Sequence, residues 1–222
     1  MDFLTGLFSG PIMFPAWGIA GSSVVLAGCI ITALPYRGRA REKFSPLNHY
    51  ISELGELNVS ARARLFNVCL VVSGMFFAFF MIGFGMRYST TTAGFAAVAG
   101  VYSSLACSAV GVFPMNNMSR HMISAMSFFY GGLATIFLFG TAAVMDGYRL
   151  LPPAFTVLAV AVSIAFVAFF LLPRLGGRVF SLDPSVSTRP RVWMLPLLEW
   201  LVMLGMNVWI LSVSIFFAGA SI

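Results

Sequence analysis

The sequence predicts an all-α polytopic membrane protein, a bundle of six transmembrane helices with a short amphipathic helix in its first cytoplasmic loop. Three observations predict it. Hydrophobic residues make up 59% of the 222 residues and charged residues only 9%, against about 45–50% and 25% in soluble domains, so this surface suits hydrocarbon rather than water. Apolar runs recur over residues 11–34, 65–86, 92–113, 122–144, 153–172 and 193–218, each near the roughly 20 residues that carry a helix across about 30 Å of bilayer. The 13 lysines and arginines fall mostly between alternate pairs of runs.

The runs are apolar on every face, whereas a membrane strand alternates over about ten residues, so helices are expected. Only Asp2 precedes the first run, and neither a basic leader nor an Ala-x-Ala cleavage site accompanies it, so it is expected to stay as a span. Cys29, Cys69 and Cys107 all fall inside runs. They are odd in number and lack the paired spacing of a zinc or redox site, and are read as packing residues without a disulfide.

Orientation follows from charge. Loop one holds Arg37, Arg39, Arg41, Lys43, Arg62 and Arg64, loop three Arg120, and loop five Arg174, Arg178, Arg189 and Arg191; the other side has Arg87 and Arg149. By the positive-inside rule, loops one, three and five face the cytoplasm and both termini face outward across the inner (plasma) membrane. The basic run 37–43 is read as a topology signal that also attracts anionic headgroups, not as a nucleic-acid site. Membrane lipids are the expected partners. Short outer connections make residues 1–222 one six-helix domain, and the lack of an internal repeat argues against an inverted-repeat transporter.

Loop one carries the first candidate site. Over residues 44–56, Ser45 suits an N-cap, Pro46 the first helical position and Gly55 a stop. In such a helix Leu47, Tyr50, Ile51 and Leu54 share one face and Asn48, Ser52 and Glu53 the other, with His49 one turn from Glu53. It is expected to lie in the interface or fold back under the bundle. In loop three, Pro114 closes one span and Asn116 or Asn117 caps the next, which places His121 in the first turn. The helix dipole disfavours an imidazolium there, so a neutral ring suited to act as base, hydrogen-bond partner or metal ligand is expected.

In the sixth run Glu199 stands about six residues, or roughly 9 Å, inside its cytoplasmic end. A carboxylate at such depth needs a partner or a proton, and His121, Arg120, Asn67, Asn116 and Asn117 are the candidates. Asn207 is expected to make an interhelical hydrogen bond.

At Tyr50-Ile-Ser-Glu-Leu-Gly55, Gly111 with Phe113-Pro114, His121 followed by Ala125, Phe128 and Phe129, and Glu199, the chain resembles a known family. This is the group of bacterial and archaeal six-span proteins catalogued as a domain of unknown function, distantly similar to the Frag/DRAM/Sfk superfamily of eukaryotic membrane proteins. The resemblance implies lipid-related or membrane-organising roles. Met115 and Asn116 stand where the family usually has an acidic residue, and Glu199-Trp200 where it has Glu-Arg, which removes charge from the site.

Three functions are open. A protein that binds or organises lipid would use Glu53, His121 and Glu199 as a buried polar cluster tying loop one to the bundle. A lipid-active acyltransferase or hydrolase would use His121 as base, Glu53 or Glu199 to orient it, and Ser45, Ser52 or water as nucleophile. A haem or metal protein would draw on His49 and His121. Ser45, Asn48, His49, Ser52, Asn116, Asn117 and Arg120 are candidate lipid or ligand contacts. The first reading needs no metal or cofactor.

Overall fold

Every apolar run is helical. The computed structural model describes residue 10, residues 12–175 and residues 189–220, with helices, turns and loops and no strand among them. Asp2, Pro11 and Arg178, which bear on the first span and the basic loops, lie outside the described residues. The helices are α1 (Met13–Ala33), α2 (Ala63–Gly85), α3 (Thr91–Val112), α4 (Met118–Met145), α5 (Pro153–Leu171) and α6 (Met194–Ala220). All six are long and apolar enough to cross a membrane, so this is a multi-pass membrane protein. Local chemistry sets several ends: Thr90 Oγ1 accepts from the Ala93 N–H, Asn117 Oδ1 accepts from the Arg120 N–H, and Pro153 opens α5 where its missing N–H costs nothing. The Asn117 cap starts α4 at Met118, four residues ahead of the apolar run, so His121 is already helical.

Each helix packs on its neighbours in sequence, and α6 returns to α1, closing a ring. At one end the ring is plugged by aromatic side chains. Phe84 lies 4.6 Å from Phe139 and 5.8 Å from Trp209 between ring centroids, and Phe14 lies 5.1 Å from Phe217. Such pairs add roughly 0.5–1.5 kcal/mol each beyond the area they bury. Loops one, three and five meet at the other end, where loop one folds under the ring.

The short helix of loop one is a single 3-10 turn, Ile51–Gly55, packed against α1, α2 and α6. It starts later than the Ser45–Pro46 signal suggests. Ser45 and Pro46 open a separate turn, with the His49 N–H bonded to the Ser45 carbonyl, and Tyr50 then turns extended. The extended residue carries the Tyr50 ring onto Trp193, with centroids 5.2 Å apart, a tertiary contact that a continuous helix would lose. Leu47 therefore stays exposed, while Tyr50, Ile51 and Leu54 are buried.

Asn67 of α2 joins the turn to the bundle. Its Nδ2 donates to the Gly55 carbonyl at 3.0 Å, while its own backbone carbonyl abuts Gly111 of α3. A Cβ at Gly111 would meet that carbonyl and the Leu70 and Val71 side chains, and one at Gly55 would meet the Asn67 amide. Both glycines are required because backbone and amide pass too close for any side chain. Gly111→Val is expected to lower stability by about 1–3 kcal/mol through overpacking, seen as a lower thermal unfolding midpoint in detergent.

Candidate functional site

Glu53 is the most constrained polar residue beneath the ring. Its Oε1 accepts from the Tyr50 N–H at 2.9 Å, the reciprocal half of a capping box, which is the local reason for an acidic side chain at that point of the turn. Only 2% of the residue is exposed. Arg189 meets it with a two-pronged guanidinium, Nη1 to Oε1 at 2.8 Å and Nη2 to Oε2 at 2.7 Å, and the Tyr36 hydroxyl donates to Oε2 at 3.3 Å. Burial first and the Glu53 charge second push the Tyr36 phenol well above its ordinary range, so it stays a donor. Burial works against the Arg189 charge, but the Glu53 carboxylate outweighs it and raises the guanidinium above its usual value.

Several predicted contact residues fasten the loops to one another. Arg189 Nη1 also donates to the Asn48 carbonyl at 3.1 Å, Asn48 Nδ2 donates to the Pro190 carbonyl at 3.3 Å, and the Trp193 N–H donates to the Leu47 carbonyl at 2.8 Å. His49 is buried beside Tyr36 and Phe44, with Nε2 3.5 Å from Glu42 Oε1 and its carbonyl accepting from Trp200 Nε1 at 3.2 Å. It faces Glu42, not Glu53 as a continuous helix would require. Ser45 Oγ accepts from the Leu47 N–H at 3.3 Å. Asn116 pairs with both backbone groups of Leu57, at 2.8 and 3.0 Å, and Arg120 is exposed with its guanidinium 5.5 Å from the centre of the Phe113 ring.

Ser52, His121 and Glu199 occupy a different place. They line a cavity of about 80 Å³ inside the ring, walled by apolar side chains such as Leu70, Phe77, Phe128 and Met203. They also line a second cavity of about 70 Å³, whose other walls include Met115, Met118, Met122, Met126 and Phe169. At roughly 10–15 Å³ per water position, each space holds several waters or a stretch of apolar chain. Met118 and Met122 are exposed on the outer surface of the bundle. None of the described residues lining either cavity is Lys or Arg.

The polar groups there are oriented by backbone. His121 Nδ1 lies 3.0 Å from the Phe113 carbonyl, an acceptor only, so Nδ1 carries a proton and, in the neutral ring, Nε2 has the lone pair. Glu199 Oε2 accepts from the Ile51 N–H at 2.8 Å, and Ser52 Oγ donates to Met115 Sδ at 3.4 Å. The structure thus corrects the partners expected for Glu199: none of His121, Arg120, Asn67, Asn116 or Asn117 bonds to it, and the loop-one backbone does. A free N–H at the start of a 3-10 turn is a ready partner for a carboxylate. Glu53 stands apart, with both oxygens taken by Arg189. Asn207 differs too, because Nδ2 bonds within α6, to the Met203 carbonyl at 2.9 Å and Met203 Sδ at 3.2 Å.

Among the described residues no three His, Cys, Asp or Glu side chains converge as a metal site would need. The sequence reading missed Arg189 as the Glu53 partner, Tyr36 and the methionine-lined cavity. Arg189 is 136 residues from Glu53, and no spacing rule reaches that far. Methionines at 118, 122 and 126, spaced four apart on one side of α4, with Met115 just ahead of them, were the available signal for the cavity wall.

Over residues 19–215 the chain matches the family described as protein of unknown function (DUF998). No curated protein and no solved structure gives a significant match.

Removing one partner of a buried ion pair strands the other charge. Glu53→Gln and Arg189→Gln are each expected to cost about 3–5 kcal/mol in equilibrium unfolding in detergent. The double variant should cost clearly less than the sum, because the two act as one interaction.

Proposed function

This chain belongs to the DUF998 family of proteins of unknown function, and we propose that it binds a membrane amphiphile at the cytoplasmic face of the plasma membrane. The polar head is held at Ser52, His121 and Glu199, and the apolar part enters the ring. One observation carries this reading: three polar side chains sit where two apolar cavities meet, one inside the bundle and one bordered by exposed Met118 and Met122. Methionine is a flexible, polarisable wall for an aliphatic guest. An amphiphile arriving from the bilayer would pass those methionines and leave its head at the polar residues.

The chemistry of the lining favours a neutral, hydroxyl-bearing head. His121 Nε2 and the Glu199 carboxyl accept hydrogen bonds, Ser52 donates or accepts, and no cation among the described residues lines either cavity to hold a phosphate. Loop one acts as the floor of the site, and Glu53 with Arg189 locks it. Eleven of the 13 Lys and Arg residues belong to loops one, three and five, which supports a cytoplasmic placement of this end with both termini outside. The motif resemblance to the Frag/DRAM/Sfk superfamily agrees with a lipid role.

The His121 tautomer favours one second reading. With Nδ1 committed to a carbonyl, Nε2 is a free base on the same cavities as the Ser52 hydroxyl, the pairing that acyl transfer or ester hydrolysis uses. Under that reading Ser52 or water gives its proton to His121 Nε2 and attacks the ester carbonyl, the C–O bond to the alcohol breaks and the alcohol leaves with that proton, water then releases the acid where Ser52 was acylated, and Glu199 positions the loop through Ile51.

Native mass spectrometry of the protein purified in mild detergent separates these outcomes. The wild type is expected to carry a neutral glycerolipid, and Ser52→Ala, His121→Ala and Glu199→Gln to lose about tenfold in lipid affinity, with unfolding midpoints near wild type. Variants that retain the lipid at wild-type affinity refute the assignment. Release of fatty acid from labelled diacylglycerol by wild type, abolished in His121→Ala, would establish turnover; no release leaves a binding protein.

A further inference from the structure

Two cavities open from one polar junction. Among the described residues, Ser52, His121, Ala125, Phe129 and Glu199 line both of them, and beyond these the two linings share nothing. The inner cavity follows α6 from Glu199 through Met203 and Met206 to Ile210, eleven residues or about 16 Å. That is close to half of the roughly 30 Å hydrocarbon core, the depth that the chains of one leaflet fill. The outer cavity follows α4 from Met118 through Met122 to Met126, eight residues or about 12 Å, and Met118 and Met122 are exposed on the bundle surface. Phe129 stands between the two: it is buried, it lines both, and its ring stacks on Phe169 of the outer cavity with centroids 4.1 Å apart. A guest that enters both spaces must therefore branch at the junction, next to its polar head.

Building on the amphiphile reading, we infer that the ligand is a two-chained neutral lipid with its head at Ser52, His121 and Glu199, one acyl chain along α6 in the inner cavity and the second along the α4 methionines in the outer one. The inner cavity, about 80 Å³ drawn out over that length, is one chain wide, so a second chain cannot follow the first. An apolar space left empty beside a bound head would forfeit packing contacts on all its walls, which favours a guest that fills both arms. The flexible methionines suit a chain whose far end passes out toward the bilayer, while the inner chain stops where Ile210 adjoins Trp209 of the aromatic plug. A diacylglycerol has this shape, with two chains diverging from neighbouring ester oxygens beside one free hydroxyl.

Dioleoylglycerol and oleoylacetylglycerol form the test pair, since they share the head and both ester links and differ only in the length of the second chain. Their affinities for the full-length protein in detergent are measured by native mass spectrometry titration. Wild type is expected to prefer dioleoylglycerol by about tenfold. Met126→Trp narrows the outer cavity alone and Val110→Phe the inner cavity alone, both at half-buried positions. Each variant is expected to bind dioleoylglycerol at the wild-type oleoylacetylglycerol level and to bind oleoylacetylglycerol unchanged, because one arm stays open to a single chain. Retained binding of the short ligand shows that the variant is folded and its head site intact. Equal affinities in wild type overturn the inference while the head site stands, and this comparison needs no variant to fold. A preference that survives either substitution places the second chain elsewhere and also overturns it. If neither lipid binds, the inference falls together with the amphiphile reading.

Discussion

A carboxylate that is 2% exposed beneath a membrane bundle must have a cation, and Glu53 has Arg189. The rest of the loop face depends on that requirement. The pair joins loop one to loop five, and once it is made the neighbouring backbone groups follow: Trp193 to Leu47, Asn48 to Pro190, Trp200 to His49. Individually each of these bonds is modest. Together they hold the Ile51–Gly55 turn against α1, α2 and α6, so that Ile51 presents its N–H to Glu199 and Ser52 reaches the cavities.

The same arrangement explains why the cavities that carry polar side chains lie at the loop-one end. Aromatic rings fill the centre of the helix ring near Phe84 and Phe139, where large planar side chains pack closely against one another. At the opposite end a loop closes the ring. A loop brings backbone N–H groups and polar side chains that helices alone would not, and these gather at the boundary between an inner apolar cavity and a methionine-lined outer one. The proposed binding of an amphiphile uses that polarity gradient directly.

Much of the candidate site was legible as residues and little of it as contacts. Ser52, His121 and Glu199 stood out as polar groups at the membrane edge, and they do share the cavities. Glu53 stood out as well, yet it belongs to the fastening, as do Asn48, His49 and Asn116. The difference lies in which face each residue shows, and in loop one that face is set by an extended Tyr50 that no helical periodicity anticipates. Asn207 was read as an interhelical bond because buried amides in membranes usually find one. Its own helix supplies the Met203 carbonyl instead.

The sequence by itself determined the six spans, their approximate ends and the gathering of basic residues into alternate loops. It could do so because hydrocarbon exacts its requirements residue by residue: apolarity over about 20 residues, and caps of the Thr90 and Asn117 kind, are local properties. Only the tertiary structure decided that the helices close into a ring, that Gly55 and Gly111 meet on Asn67, that Arg189 answers Glu53, and that Glu199 is met by a backbone N–H. Those outcomes depend on groups far apart in the chain, Ile51 and Glu199 by 148 residues and Phe14 and Phe217 by more. Their pairing is selected by the cost of leaving any buried polar group unmatched across the whole assembly, and that cost has no local signature in the chain.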